Sequence, residues 1–233
     1  MASEMLIVSV DTSGRKGSVA LCRGDDDSFE VLQLTSLEGG TYSAQLLPRI
    51  AEALRQNNLN KTDVDGFVVV SGPGSFTGLR VGLSTVKGLC EVLRKPLATV
   101  SMLEALVLTH GRQGESAVAL LDAGRGEIYV GEYRLVSGRA TLVREYIAKL
   151  DEFAAQPPAG SADLLTADEK VAEALQAANR NVILVAPVNA GEIGRIGIRK
   201  LLAGETADPA TIDVNYIRRS DAEILSTAKK TQC

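Results

Sequence analysis

The segment with the most potential chemistry is Ser71-Gly72-Pro73-Gly74-Ser75-Phe76-Thr77-Gly78-Leu79-Arg80-Val81-Gly82, a strand end, a tight Gly-Pro-Gly turn and a helix start that Ser75 can cap. Glycine-rich turns that open helices often hold phosphates, yet the phosphate patterns fail here. No Gly-Lys-Ser/Thr follows, so this is not a Walker A loop, and Thr77 stands where the dinucleotide pattern needs its third glycine. Pro73 sits where a nucleophile elbow needs glycine, so Ser75 is not an activated nucleophile. The chain has a single histidine, His110, which reads as a surface or capping residue at a helix end rather than a metal ligand. Neither a serine–histidine pairing nor a zinc constellation supports a hydrolase. Cys22, Cys90 and Cys233 are far apart and form no CxxC pair; Cys22 and Cys90 lie in apolar runs and read as small core residues.

Two aspartates end apolar strands. Asp11 follows Met5–Val10 and leads into Thr12-Ser13; Asp122 closes Ala117–Asp122 and leads into Ala123-Gly124-Arg125-Gly126. Asp11 is as well suited to closing its own turn by an Asx hydrogen bond as to holding a ligand.

The elements around these residues follow from period and punctuation. Met5–Val10, Ser18–Cys22 and Phe29–Thr35 read as three antiparallel strands joined by turn chemistry at Asp11–Gly14 and Gly24–Asp27. Leu46, Leu47, Ile50 and Leu54 recur at helical spacing over about 41–57; Thr41 or Ser43 can cap that helix, and Pro48 inside it predicts a kink. Phe67–Ser71, a helix from Ser75 to Arg94, and Leu97–Val100 follow, and Ser101 with Glu104 makes a capping box for a helix ending near His110-Gly111. The pattern then partly repeats: strands at Ala117–Asp122, Glu127–Leu135 and Thr141–Ile147, a short helix at Asp151–Ala155, a strand at Leu164–Thr166, a helix at Ala167–Ala178, a strand at Val182–Val185, and a helix at Ile193–Leu202. This is an α/β chain of two ribonuclease-H-like lobes with mixed sheets, the second reduced: residues 1–110 and 111–233, with the last helix and tail free to pack back on the first lobe. After Gly204 no period is strong.

Composition sets outer limits. With 45% apolar residues in 233, a core of one large domain or two small ones is within reach. A formal charge of −4 with signs interspersed lacks the basic stripe of a chain that grips RNA alone, so any nucleic acid is expected to be held through a partner. Met5–Val10 is too short for a leader's apolar core, and no run reaches the ~18 residues of a membrane span, so a soluble, cytoplasmic chain with no membrane contact is expected.

The second helix carries a finer pattern. Phe76, Leu79, Leu83, Val86, Cys90 and Leu93 form an a/d seam, while Gly78 and Gly82 lie one turn apart on a neighbouring face. Each glycine costs about 1 kcal/mol against alanine in a helix interior, which makes sense where another backbone approaches closely. That backbone is either the chain's own or a partner's.

Gly72 to Gly82 closely resembles the signature of the TsaB (YeaZ) family. Leu6–Ser13, Ser43–Pro48, Asp122–Tyr129 and the tail Val214-Asn215-Tyr216-Ile217-Arg218-Arg219 agree with that family's other motifs. The likeness is good over 6–130, moderate in the tail and slight over 135–205. Tyr42 and Gly124 depart from it, standing where the family often has His and Arg. The resemblance implies an actin/Hsp70-like two-lobe fold, related to the catalytic subunit TsaD without its chemistry. It implies a heterodimer with TsaD, joined by the ATPase TsaE, in a complex that transfers a threonylcarbamoyl group to the adenosine beside the tRNA anticodon. It puts the two first-lobe helices in a bundle with TsaD, with a predicted interface of Leu46, Leu47, Ile50, Leu54, Phe76, Gly78, Leu79, Gly82, Leu83 and Val86; a surface built for a homologous partner tends to be self-complementary, so a homodimer through the same helices is expected when the chain is alone. The metal of the catalytic relative needs two histidines on a helix turn, and this chain has one.

In actin-like ATPases an acidic residue after the first strand, with small polar neighbours, holds metal-phosphate. Asp11, Thr12 and Ser13 resemble half of that site, and Ala123–Gly126 is a poor version of the second-lobe phosphate turn. The expectation is a vestigial nucleotide site: no catalytic residue, no metal, no cofactor of its own, and ATP or ADP bound weakly or within an assembled complex. The competing reading is an active actin-like ATPase or kinase, which would bind or hydrolyse ATP when pure. Arg195, Arg199, Arg218 and Arg219 form a basic patch only where the fold joins them.

Overall fold

The structure, a computed structural model, describes residues 4–112, 114–156, 163–215 and 217. Cys233, and the Tyr216, Arg218 and Arg219 of the tail motif, lie outside the described residues.

The first five strands are β1 (Met5–Asp11), β2 (Lys16–Gly24), β3 (Phe29–Glu38), β4 (Gly66–Gly72) and β5 (Leu97–Ser101), in the order β3-β2-β1-β4-β5. β1 pairs antiparallel with β2, and β2 with β3; β1–β4 and β4–β5 are parallel. The parallel pairs need crossovers, supplied by α1 (Tyr42–Gln56) and α2 (Phe76–Leu93). β1 and β4 are buried along nearly their whole length because helices cover both faces, which is why their sequences are continuous apolar runs rather than alternations.

α3 (Met102–His110) carries the chain into a second sheet of β6 (Ser116–Gly124), β7 (Glu127–Val136), β8 (Arg139–Lys149), β9 (Asp163–Thr166) and β10 (Val182–Leu184). Its order, β10-β9-β6-β7-β8, repeats the first lobe strand for strand. The repeat is shortened: α4 (Leu150–Ala155) has 6 residues and α5 (Glu169–Ala177) has 9, where α1 has 15 and α2 has 18. One face of this sheet packs Val118, Leu120, Ile128 and Val130 on Phe153, Val171 and Leu175, and the other joins the first-lobe core through Ala117, Ala119, Tyr133 and Leu135.

The last helix, α6 (Ala190–Leu202), lies on the first-lobe sheet. Asn189 caps it in a reciprocal box with Glu192. Gly191, Gly194 and Gly197 face the sheet: a Cβ at Gly194 would lie 2.8 Å from Cys22 Sγ, and one at Gly197 would lie 2.3 Å from both methyls of Val68. Beyond it the chain straps across the first lobe. Ala207 bridges Leu97, Lys87 Nζ donates to the Ile212 carbonyl at 2.9 Å, and the Asn215 N–H donates to the Ser71 carbonyl at 2.8 Å. Among the described residues no helix is long and apolar enough to cross a membrane.

Candidate functional site

The β1–β2 turn and the start of α2 are one packed unit. Asp11 closes its turn by accepting from the Ser13 N–H at 2.8 Å and the Ser13 hydroxyl at 2.7 Å. Burial pushes the Asp11 carboxyl above its ordinary value, and the two Ser13 bonds oppose that shift. Thr12 points the other way and donates its hydroxyl to the Gly78 carbonyl at 2.8 Å. The Ser13 carbonyl accepts from the Ser75 N–H at 2.6 Å, next to the point where the Ser75 side chain caps α2 by accepting from Gly78 N–H. Tyr42, buried, donates to the Gly14 carbonyl at 2.8 Å. Its phenol is pushed up to about 12 by burial, with Asp11 and Glu38 adding to the shift.

The glycine face meets this turn. A Cβ at Gly78 would lie 2.1 Å from the Thr12 carbonyl oxygen, and a Cβ at Gly82 would lie 2.2 Å from Thr12 Oγ1. The backbone that approaches these glycines is the chain's own, so Gly78 and Gly82 are not on the outer surface. The apolar seam is corrected likewise: Leu46, Ile50, Leu54, Leu79, Leu83 and Val86 are buried in the first-lobe core because their helical stripe faces the sheet. Of the ten predicted interface residues only Leu47 and Phe76 are exposed, at 51% and 39%. Phe76 lies under the Arg80 guanidinium, 3.8 Å from its ring centre.

The second-lobe turn has the same start and is exposed at Asp122, Arg125 and Gly126 among the described residues. Asp122 accepts from the Gly124 N–H at 2.8 Å, repeating the Asp11 bond, while its own N–H donates to Asp168 Oδ2 at 2.7 Å. Arg125 and Gly126 have φ of 59° and 76°, the two left-handed residues of a tight two-residue hairpin. Taken together the two turns fit a metal-phosphate poorly. The Thr12 and Ser13 hydroxyls are spent inside the fold, and the second-lobe hairpin makes no wider loop.

The remaining chemistry-bearing residues are accounted for. His110 ends α3, its Nε2 sharing a hydrogen bond with the Ala186 carbonyl at 3.0 Å. Cys22 and Cys90 are buried, and burial pushes both thiols up to about 12, which keeps them protonated and unreactive. Arg195 and Arg199 share one wall of a groove. A cluster that sequence reasoning missed joins the lobes: Glu145 on β8 accepts from the Ser101 hydroxyl at 2.8 Å, from Asn215 Nδ2 at 3.0 Å and from the Tyr133 hydroxyl. No local pattern marks it, since its members are 44, 70 and 12 residues from Glu145.

Two lobes with one strand order, joined by a helix and each opening on an aspartate-closed turn, define a protein of the actin/Hsp70-like class. The family model for tRNA N6-adenosine threonylcarbamoyltransferase matches residues 39–189. The tRNA threonylcarbamoyladenosine biosynthesis protein TsaB of Bacillus subtilis is 33% identical over 135 residues, 58% of this chain and 57% of that protein. TsaB of Haemophilus influenzae is 34% identical over 131 residues, 55% of this chain and 53% of that protein. The solved structure of YeaZ from Pseudomonas aeruginosa superposes with a TM-score of 0.73 at 24% identity, covering 89% of this chain and 97% of that one, a likeness of fold. The chain belongs to the TsaB (YeaZ) family, and it spans about half the length of the curated relatives it matches.

Proposed function

We propose that this chain is a non-catalytic subunit that binds and supports a TsaD-type transferase in the threonylcarbamoylation of the adenosine next to the tRNA anticodon. The observation that carries the reading is the outer face of the first-lobe helix layer. α1 and α2 pack side by side. Their sheet side is filled, and the side turned away presents Ala44, Leu47 and Ala51 on α1 with Val81, Ser84 and Gly88 on α2, small or apolar and at least partly exposed. Nothing lies within 4 Å of a Cβ built at Gly88, so this is the glycine on α2 with room for a crossing helix. Small residues at helix crossings let backbones approach closely. A homologous transferase with the same lobe would offer the matching helices. A homodimer through the same face, a TsaE-type ATPase joining the assembly, tRNA reached only through the complex, and a cytoplasmic setting belong to this reading, as does the lack of an intrinsic cofactor.

The test is co-elution of the full chain with its cognate TsaD-type subunit, and complementation of threonylcarbamoyladenosine formation in a reconstituted assay. Gly88→Leu and Leu47→Glu should each abolish co-elution while melting at or above the parent temperature. Undiminished binding by both variants would move the partner elsewhere. ATP hydrolysis by the pure chain, lost in Asp11→Asn, would establish the ATPase reading instead.

A further inference from the structure

A groove lies away from the Asp11 and Asp122 turns. It has a volume of about 1170 Å³ and lies between the C-terminal half of α3, the outward face of α6 and the β7–β8 hairpin. The turns that border it, 25–28 and 137–138, are at the ends of their strands opposite to those two aspartates.

Four cations line the groove, and they divide into two pairs. Lys200 Nζ is held by Glu104 Oε2 at 2.7 Å, and Arg139 Nη1 by Glu205 Oε1 at 3.1 Å. Arg195 and Arg199 make no ion pair among the described residues. They stand one helical turn apart on α6, both exposed. Like charges at that spacing repel, and an anion between them would offset that repulsion. Arg195 is also pre-positioned, its guanidinium 4.8 Å from the Phe29 ring centre, which orients the planar fork and leaves its edge donors for a ligand. Thr109 and Thr141 line the same space.

The carboxylates on the wall decide the size of the anion. Glu104 and Glu205 are neutralised by their partners, and Glu192 is turned to the Asn189 N–H at 2.8 Å. Asp26 lines the groove, and Asp25 and Asp27 line the adjoining hollow with both arginines, Asp25 accepting from the Asp27 and Ser28 N–H groups at 2.9 and 2.8 Å. An extended polyanion such as an RNA strand would run across these carboxylates, whereas a compact phosphate can meet the arginine pair from the groove side, where Asp26 is the one aspartate of the 25–28 turn in the lining. We propose that this groove binds a small phosphate-bearing molecule through the guanidiniums of Arg195 and Arg199. The site is separate from the partner face of α1 and α2 and does not rest on the transferase reading.

Calorimetric titration of the full chain with inorganic pyrophosphate tests it, with tRNA titrated in a parallel arm. One saturable pyrophosphate site is expected. Arg195→Gln and Arg199→Gln should each weaken it about tenfold, the loss of one charge-assisted bidentate contact, and the double variant should abolish it. Asp11→Asn, at the far end of the β1–β2 pair from the 25–28 turn, should leave the binding unchanged. Both arginines are exposed, so the variants should melt with the parent; if the double variant melts early, Arg195→Lys/Arg199→Lys, which keeps both charges, should fold and bind with intermediate affinity. No pyrophosphate binding by the parent, or binding untouched by the double variant, overturns the proposal. So does tRNA bound through these arginines more tightly than pyrophosphate, which would make the groove an RNA surface.

Discussion

The two lobes share a strand order and an aspartate-closed first turn, and they differ in what lies over that turn. In the first lobe α2, with 18 residues, crosses the turn closely enough for Thr12 to sit against Gly78 and Gly82. In the second lobe the helix in the same place, α5, has 9 residues, and Asp122, Arg125 and Gly126 are exposed. Strand order therefore places an aspartate-closed turn after the first strand of each lobe, while helix length and two missing side chains decide whether it becomes packing or stays exposed. The first-lobe turn has been absorbed into the core of the helix layer, and with it the hydroxyls that a phosphate would need.

The largest effect should come from refilling the notch. Gly78→Ala puts a methyl 2.1 Å from the Thr12 carbonyl, a backbone atom that cannot rotate away. The gain in helix propensity, about 1 kcal/mol, is outweighed by overpacking of about 3 kcal/mol. Chemical denaturation should show a net loss of about 2 kcal/mol. A variant as stable as the parent would mean that α2 is not clamped on the turn.

The next effect concerns the sign of a pH dependence. Asp11 is buried and its carboxyl is raised above 3.8, so the folded chain holds its proton more tightly than the unfolded one. Its contribution is most favourable at low pH and is lost as pH rises through the window from 3.8 to the raised folded value. Asp11→Asn keeps an acceptor for both Ser13 bonds and removes the charge. The stability of Asp11→Asn relative to the parent should therefore climb through that window and level off above it, which melting curves taken in steps of pH would trace. A flat difference would place Asp11 in a solvated site with an ordinary carboxyl.

A smaller effect separates the two faces of α2. Gly88→Ala, on the open side, should stabilise the chain by about 1 kcal/mol from helix propensity alone. A loss there would mean that the outer face is already covered.

The success of local signals and the failure of longer-range ones follow from the same physics. The Ser101–Glu104 box and the Ser75 cap are in the structure because capping is settled within four residues. The seam on α2 was legible as an apolar stripe, but a stripe of period 3.6 says which face is buried and not what buries it. That is why residues assigned to a partner turned out to face the chain's own sheet. α6 begins at Ala190, three residues before the Ile193 that the apolar period predicts, so the period alone leaves Gly191 outside the helix. Asn189 and Glu192 form a readable capping box, and it would have put Gly191, Gly194 and Gly197 on one helix. Glu145 and the strap from 204 to 215 were beyond local reading, since their register is fixed by bonds such as Lys87 to Ile212, 125 residues apart.

The smallest expected effect, that of Asp122→Ala, is the sharpest check on the comparison when set beside Asp11→Ala. Asp11→Ala leaves the Ser13 N–H and hydroxyl without their acceptor in a buried turn, and an unpaired buried group costs about 1–3 kcal/mol. Asp122→Ala removes the matching bond to Gly124, but Asp122 is exposed, so water replaces the lost acceptor and the cost should stay within about 0.5 kcal/mol. Denaturation of the two variants side by side measures the difference that the lid of α2 makes. Equal losses would mean that the second turn is as deeply packed as the first, and the contrast between the lobes would then reside in helix length alone.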